Sequence, residues 1–241
     1  MTDAKYGDDK VFESFADNNI FFPCATLLID PLHNMNLTPN MVTIISTFFT
    51  LLTIYFLYND MKYIAISSFI FGYILDCVDG KMARKYKMGS DIGMALDSVS
   101  DVISNLCIFI FLFYKYEINT KNILLFIAII ISTYMLTISY SLNEAISTFN
   151  SNNNNNNNND FNFYKNKYDK LTNKKDKTFI EKILFKMFLH LQKNEYVLFN
   201  KIYSKFPKET IFNSLPYVKE FGPGNYTVII CVIILLFNYK I

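Results

Sequence analysis

Four apolar stretches, each near the length of a bilayer's hydrocarbon core, govern what this chain can fold into. They run from Met41 to Tyr58, Tyr63 to Gly80, Gly93 to Tyr114 and Ile123 to Leu142. An apolar helix needs about 20 residues to cross a core of about 30 Å. No proline falls between Pro39 and Pro207, so none of the four is broken by one. Backbone polar groups in lipid must be satisfied within their own segment, which makes each stretch a helix. The expected fold class is all-α, a multi-pass transmembrane helical bundle. A fifth apolar run, Thr227 to Phe237, is short for a span, so one or two further crossings stay open.

The remaining segments divide the chain. Residues 1–36 form a polar and interfacial segment. Its first fifteen residues are acidic (Asp3, Asp8, Asp9, Glu13) and lack the basic and apolar regions of a signal peptide. Ile20 to Leu32 is apolar but holds Pro23 and Pro31, which suits an interfacial helix. Residues 37–148 form the transmembrane core. Residues 149–178, with eight consecutive Asn from Asn152 to Asn159 and then a Lys-rich stretch, read as a low-complexity insertion. Residues 179–241 hold an amphipathic helix, Phe179 to Tyr203, and the last apolar run. Lys81, Arg84, Lys85 and Lys87 follow the second span, and 13 Lys lie between Lys165 and Lys219. By the positive-inside rule both regions face the cytoplasm.

Composition removes several function classes. A net charge of +2 is too small for a nucleic-acid binder driven by counterion release, so no nucleic-acid partner is expected. The 4 Cys are far apart and there are only 2 His, which excludes a disulfide scaffold and a zinc site of ordinary spacing.

What stands out against this background is acid inside the apolar helices. Asp76 and Asp79 lie near the end of the second span, and Asp97 and Asp101 near the start of the third. A charge at bilayer depth costs about 2.5–3.5 kcal/mol or more, so such acids are functional by default. Gly72, Asp76, Asp79, Gly80 and Ala83 make one helical stripe; Gly93, Asp97, Asp101 and Asn105 make another. A short loop joins the two helices, so the stripes can face each other and the four carboxylates converge. Oxygen ligands without thiol or imidazole suit a hard cation, Mg²⁺ or Mn²⁺. Two such ions would cancel the four negative charges and could serve phosphoryl transfer. Arg84, the only Arg beside 22 Lys, stands one turn beyond Gly80 and offers a fork of donors to a phosphate.

These residues spell Asp76-x2-Asp79-Gly80-x2-Ala83-Arg84-x8-Gly93-x3-Asp97-x3-Asp101. The pattern resembles the signature of the CDP-alcohol phosphatidyltransferase family at all its defining positions. Pro39-Asn40-x2-Thr43 resembles that family's Pro-Asn element at the start of the first span. The resemblance implies that Asp76, Asp79, Asp97 and Asp101 bind metal, with Asp101 also the base for the acceptor hydroxyl. It implies that Gly80, Ala83 and Gly93 make room for the cytidine nucleotide, and that Asn40, Thr43 and Arg84 lie near the diphosphate. It further implies a membrane transferase, usually of six spans and often a homodimer. Such an enzyme moves a substituted phosphate from a CDP-linked donor to an alcohol and releases CMP.

Asp97-Ser98-x2-Asp101 looks more like the users of CDP-diacylglycerol than like enzymes that take CDP-choline or CDP-ethanolamine, which remain the alternative. A cation channel with acidic pathway residues is the remote one. The expected setting is an endomembrane such as the ER, with the site near the cytoplasmic face. Elsewhere the bland reading holds. His33 and His190 are surface residues, Asp91 is a solvated loop residue, and Lys81, Lys85 and Lys87 are topology and headgroup charges.

Overall fold

The computed structural model describes residues 12–116, 122–152 and 178–237. A π-helical turn, Asp17–Phe21, leads into α1, Phe22–Asn34. Then come α2, Pro39–Tyr58; α3, Lys62–Lys85; α4, Asp91–Lys115; and α5, Ile123–Asn152. After the Asn- and Lys-rich residues, which lie outside the described ones from 153 to 177, follow α6, Phe179–Lys205, and α7, Lys208–Val218. A 3₁₀ turn, Lys219–Phe221, leads to α8, Pro223–Leu236. Among the described residues there is no strand. The fold is the all-α multi-pass bundle that the apolar stretches predict.

Four helices are long and apolar enough to cross a membrane: Pro39–Tyr58, Lys62–Lys85, Asp91–Lys115 and Ile123–Leu142. A fifth crossing exists if Glu209–Phe221 and Pro223–Leu236, bent by 40°, are counted together. The bend sits at Gly222-Pro223, where proline withholds an N–H and cannot continue a helix without a break. α5 runs on to Asn152, past the boundary at 148 expected for the transmembrane core.

Local chemistry sets the helix ends around the site. Thr38 caps α2, accepting the Met41 N–H, with Pro39 as the first helical residue. Ser90 caps α4 by accepting the Gly93 N–H. α1, α2 and α3 all stop in the same way. Asn36, Asp60 and Lys87 take left-handed backbone with φ of 60°, 62° and 55°. The next N–H in each case reaches back five residues: Leu37 to Leu32, Met61 to Phe56 and Met88 to Ala83. The turn between α2 and α3 is short, and these two helices are close antiparallel neighbours; α4 also packs on α2, and α1 on α3.

α2 and α3 pack along their full length. The buried residues of α2 include Thr43, Ser46, Thr50, Thr53 and Leu57, a stripe of small hydroxyl residues facing α3. A Cβ on Gly72 would fall 2.5 Å from Thr50 Oγ1 and 3.0 Å from Thr50 N, so only glycine permits this approach. α1 lies across the same pair. It buries Ala25 and Ile29 against Val42, Leu75, Val78 and Met82 and leaves Leu27 exposed, as an interfacial helix would. At the opposite end of the bundle, Tyr116 and Phe126 pack with Phe237 of the chain beyond α8, and α8 contributes Tyr226, Ile230 and Ile234.

Candidate metal centre

The C-terminal part of α3 and the N-terminal part of α4 meet at one end of the bundle, beside the start of α2. There α3 presents Asp76 and α4 presents Asp97 and Asp101. One carboxylate oxygen from each of these three lies within 4.8 Å of the others. All three residues are half-buried. The donor set is oxygen alone, negative and close, which fits a hard divalent cation such as Mg²⁺ or Mn²⁺. Without one, three carboxylates at this separation repel each other in a poorly screened setting.

Asp79 stands differently. It is only 4% exposed, and its Oδ2 accepts a hydrogen bond from Thr43 Oγ1 at 2.5 Å. Three residues after Asp76 on a helix, it is rotated toward α2, which is where Thr43 lies. It remains near enough to Asp97 and Asp101 to be repelled by both. Of the four aspartates expected to converge, three share one small volume and the fourth flanks it, tied to the neighbouring helix.

The small positions are filled by this chain's own side chains. A Cβ on Gly93 would fall 2.5 Å from Asn40 Oδ1 and 2.9 Å from Ser90 Oγ. Asn40 therefore sits on Gly93 and joins the starts of α2 and α4. A Cβ on Gly80 would meet Arg84 Nη1 at 3.3 Å, because the guanidinium folds back along its own helix over Gly80. Ala83, half-buried one turn short of the chain reversal, supplies the carbonyl that ends α3. The side chains nearest to Gly80 and Gly93 are thus Arg84 and Asn40, two groups expected near a diphosphate. Thr43 is 3% exposed and turned to Asp79.

The flanks of the site correct three expectations. Asp91 is not in a loop but is the first residue of α4, where a carboxylate complements the helix dipole. Lys81 is 5% exposed, with its ammonium 4.0 Å from the centre of the Phe22 ring on α1, so it is not a solvated headgroup charge. His33 is half-buried and stacked on Tyr86, with ring centres 3.6 Å apart. Beside that stack Asp30 accepts from Lys85 and from the Tyr86 hydroxyl, which hold its carboxyl below the usual range. His190 is exposed, as expected. On the other flank, Phe185 and Phe188 of α6 pack against Ala95 and Val99 of α4, so the amphipathic helix leans on the helix that carries Asp97 and Asp101.

Sequence reasoning passed over two features. The Thr43–Asp79 bond has a signal, since Thr43, Ser46, Thr50 and Thr53 follow three- and four-residue spacing within an uncharged span. Ser90-Asp91 ahead of an apolar run likewise marks the cap of α4.

A family model described as CDP-alcohol phosphatidyltransferase matches residues 36–199, which include every residue of the site. An uncharacterized protein of Aquifex aeolicus (strain VF5) is 31% identical over 112 residues, covering 44% of this chain and 57% of that protein. The chain thus spans just over half the length of that relative. No solved structure matches the chain.

Proposed function

The chain belongs to the CDP-alcohol phosphatidyltransferase family, and from that membership we propose that it moves a phosphatidyl group from CDP-diacylglycerol to the hydroxyl of a small polar alcohol, releasing CMP. The observation that carries this reading is the meeting of Asp76, Asp97 and Asp101 oxygens within 4.8 Å, with Asp79 alongside. No fold requires three mutually repelling carboxylates inside an apolar bundle, whereas a donor carrying a diphosphate on a lipid requires both.

Asp76, Asp79 and Asp97, with Asp101, would hold Mg²⁺ or Mn²⁺, two ions by charge balance. When bound, these supply charge stabilisation for the attacking and leaving oxygens of phosphoryl transfer. The chain's own residues do the rest. Asp101 takes the proton of the acceptor hydroxyl, whose pKa is far above 7, as the new P–O bond forms. Arg84 and Asn40 bind and orient the diphosphate. Attack at the phosphorus farther from cytidine then breaks its bond to the bridging oxygen, and CMP departs with that oxygen. Arg84, Lys85 and Lys87 near this end of the bundle support a site facing the cytoplasm, and the membrane proposed is an endomembrane such as the ER.

The test is a matrix of labelled donors and acceptors with CMP as the readout. CDP-diacylglycerol, CDP-choline and CDP-ethanolamine are each supplied to purified protein. Serine, inositol and glycerol phosphate serve as acceptors for the first, and diacylglycerol for the other two. CMP release only with CDP-diacylglycerol supports the proposal. Release only with CDP-choline or CDP-ethanolamine replaces it with phosphocholine or phosphoethanolamine transfer. Ion flux through vesicles without any CMP release would turn it toward a channel.

A further inference from the structure

Resting on that reading and deepening it, we propose that Thr43 is a positioning residue for Asp79. Its hydroxyl fixes the rotation of that carboxylate, so that the metal ligand is already oriented before any cation arrives.

The argument begins with the seam between α2 and α3. Three side-chain hydrogen bonds cross it. Ser68 Oγ donates to the Phe49 carbonyl at 2.7 Å, Ser46 Oγ to the Gly72 carbonyl at 2.9 Å, and Thr43 Oγ1 to Asp79 Oδ2 at 2.5 Å. The first two end on backbone and set the register of the helices. The third, nearest the metal centre, ends on a side chain that the site needs. The same register that lets Gly72 touch Thr50 therefore delivers Thr43 to Asp79.

A hydroxyl has one proton to donate. Thr43 Oγ1 lies 3.1 Å from the Pro39 carbonyl and 2.5 Å from Asp79 Oδ2. The shorter contact is to Asp79 Oδ2, so the hydroxyl is directed at the carboxyl group rather than at its own helix. Thr43 is 3% exposed and Asp79 4%, which leaves the hydroxyl no open face toward a substrate. In this rotamer Oγ1 touches the Pro39 carbonyl one turn back and Asp79 across the seam, so both contacts hold the hydroxyl in place. Thr43 acts through Asp79 rather than on the diphosphate.

Groups that orient metal ligands typically change metal affinity about 10–100-fold when removed. The experiment titrates the full-length protein in detergent with Mn²⁺ alone, reading the rise in melting temperature, and repeats the titration with Thr43→Val, Thr43→Ala and Thr43→Ser. The Val and Ala variants are expected to need about 10-fold more Mn²⁺ or more for half the rise, while Ser stays within about 3-fold of the parent. The Mn²⁺ dependence of CMP release should move in parallel. Ala covers the case in which Val fails to fold, and the metal-free melting temperature reports that directly. If the Val and Ala variants titrate like the parent, or Ser is as poor as Val, the positioning role is overturned while the metal centre stands. If the parent itself shows no response to Mn²⁺, the metal reading falls and this inference with it.

Discussion

Two regions of this molecule bury carboxylates, and they do so in opposite ways. Asp17, at the entry to α1, is fully buried. It accepts hydrogen bonds from Ser14 Oγ at 2.7 Å, the Tyr73 hydroxyl at 2.6 Å and the Gly224 N–H at 3.0 Å. It thereby fastens the N-terminal segment to α3 and caps the start of α8, beyond the bend at Gly222-Pro223. A Cβ on Gly224 would lie 2.3 Å from Asp17 Oδ1, so the cap depends on glycine there. Burial pushes the Asp17 carboxyl above its usual range, and these donors offset only part of that rise. At the metal centre the close neighbours of Asp76 include two more carboxylates. Tyr73 and Asp76 are three residues apart on one helix, so the two regions are near one another. Asp17 is fully buried with protein donors around it, whereas Asp76, Asp97 and Asp101 are half-buried with one another close by. An acid surrounded by protein donors holds the fold together, and acids gathered around each other keep a place for cations.

That contrast can be broken by experiment. The largest effect is expected for Asp101→Asn, which removes the proposed base: CMP release should fall by about 10²–10⁴-fold with no loss of metal-free melting temperature. A variant that turns over normally would assign the base elsewhere. Asp76→Asn should abolish the response to Mn²⁺ and yet raise metal-free stability by about 1 kcal/mol, because a repulsion is removed. Asp17→Ala should do the reverse. It leaves three donors without their acceptor and should lower stability by about 2–4 kcal/mol in a denaturation series, with Mn²⁺ titration of the folded protein unchanged. Were both substitutions to shift stability in the same direction, the distinction between the two regions would be lost.

The smallest effect concerns Asp30, whose carboxyl is held below its usual value of 3.8 by Lys85 and Tyr86. The unfolded chain then binds this proton more readily than the folded one. The contribution is present above about pH 4 and is lost as the pH falls through the lower folded value. Melting temperatures of the parent and Asp30→Asn should converge as the pH is lowered toward 3. A gap that persists at low pH would mean that the ion pair is not its source.

Much of the architecture was legible because lipid leaves a chain few choices. An uncharged run such as Met41 to Tyr58 must be helical, and its neighbours must be too. The last apolar run was legible only as a short one, because Glu209–Phe221 and Pro223–Leu236 qualify as a crossing only when taken together across a bend. The role of Asp17 was not legible, since an isolated acid near the start of a polar segment looks like a solvated one. What buries it comes from Tyr73 and Gly224, 56 and 207 residues away.

The sequence by itself determined the helices, the two acidic stripes and the chemistry that oxygen ligands invite, because helical periodicity and the cost of charge in lipid are local properties. Only the tertiary structure decided that Asp79 leans on Thr43 while its three companions share one small volume. It also decided that Asn40, from the start of α2, lies against Gly93 of α4. Those outcomes depend on the register and rotation of α2, α3 and α4 against one another, which no single helix encodes.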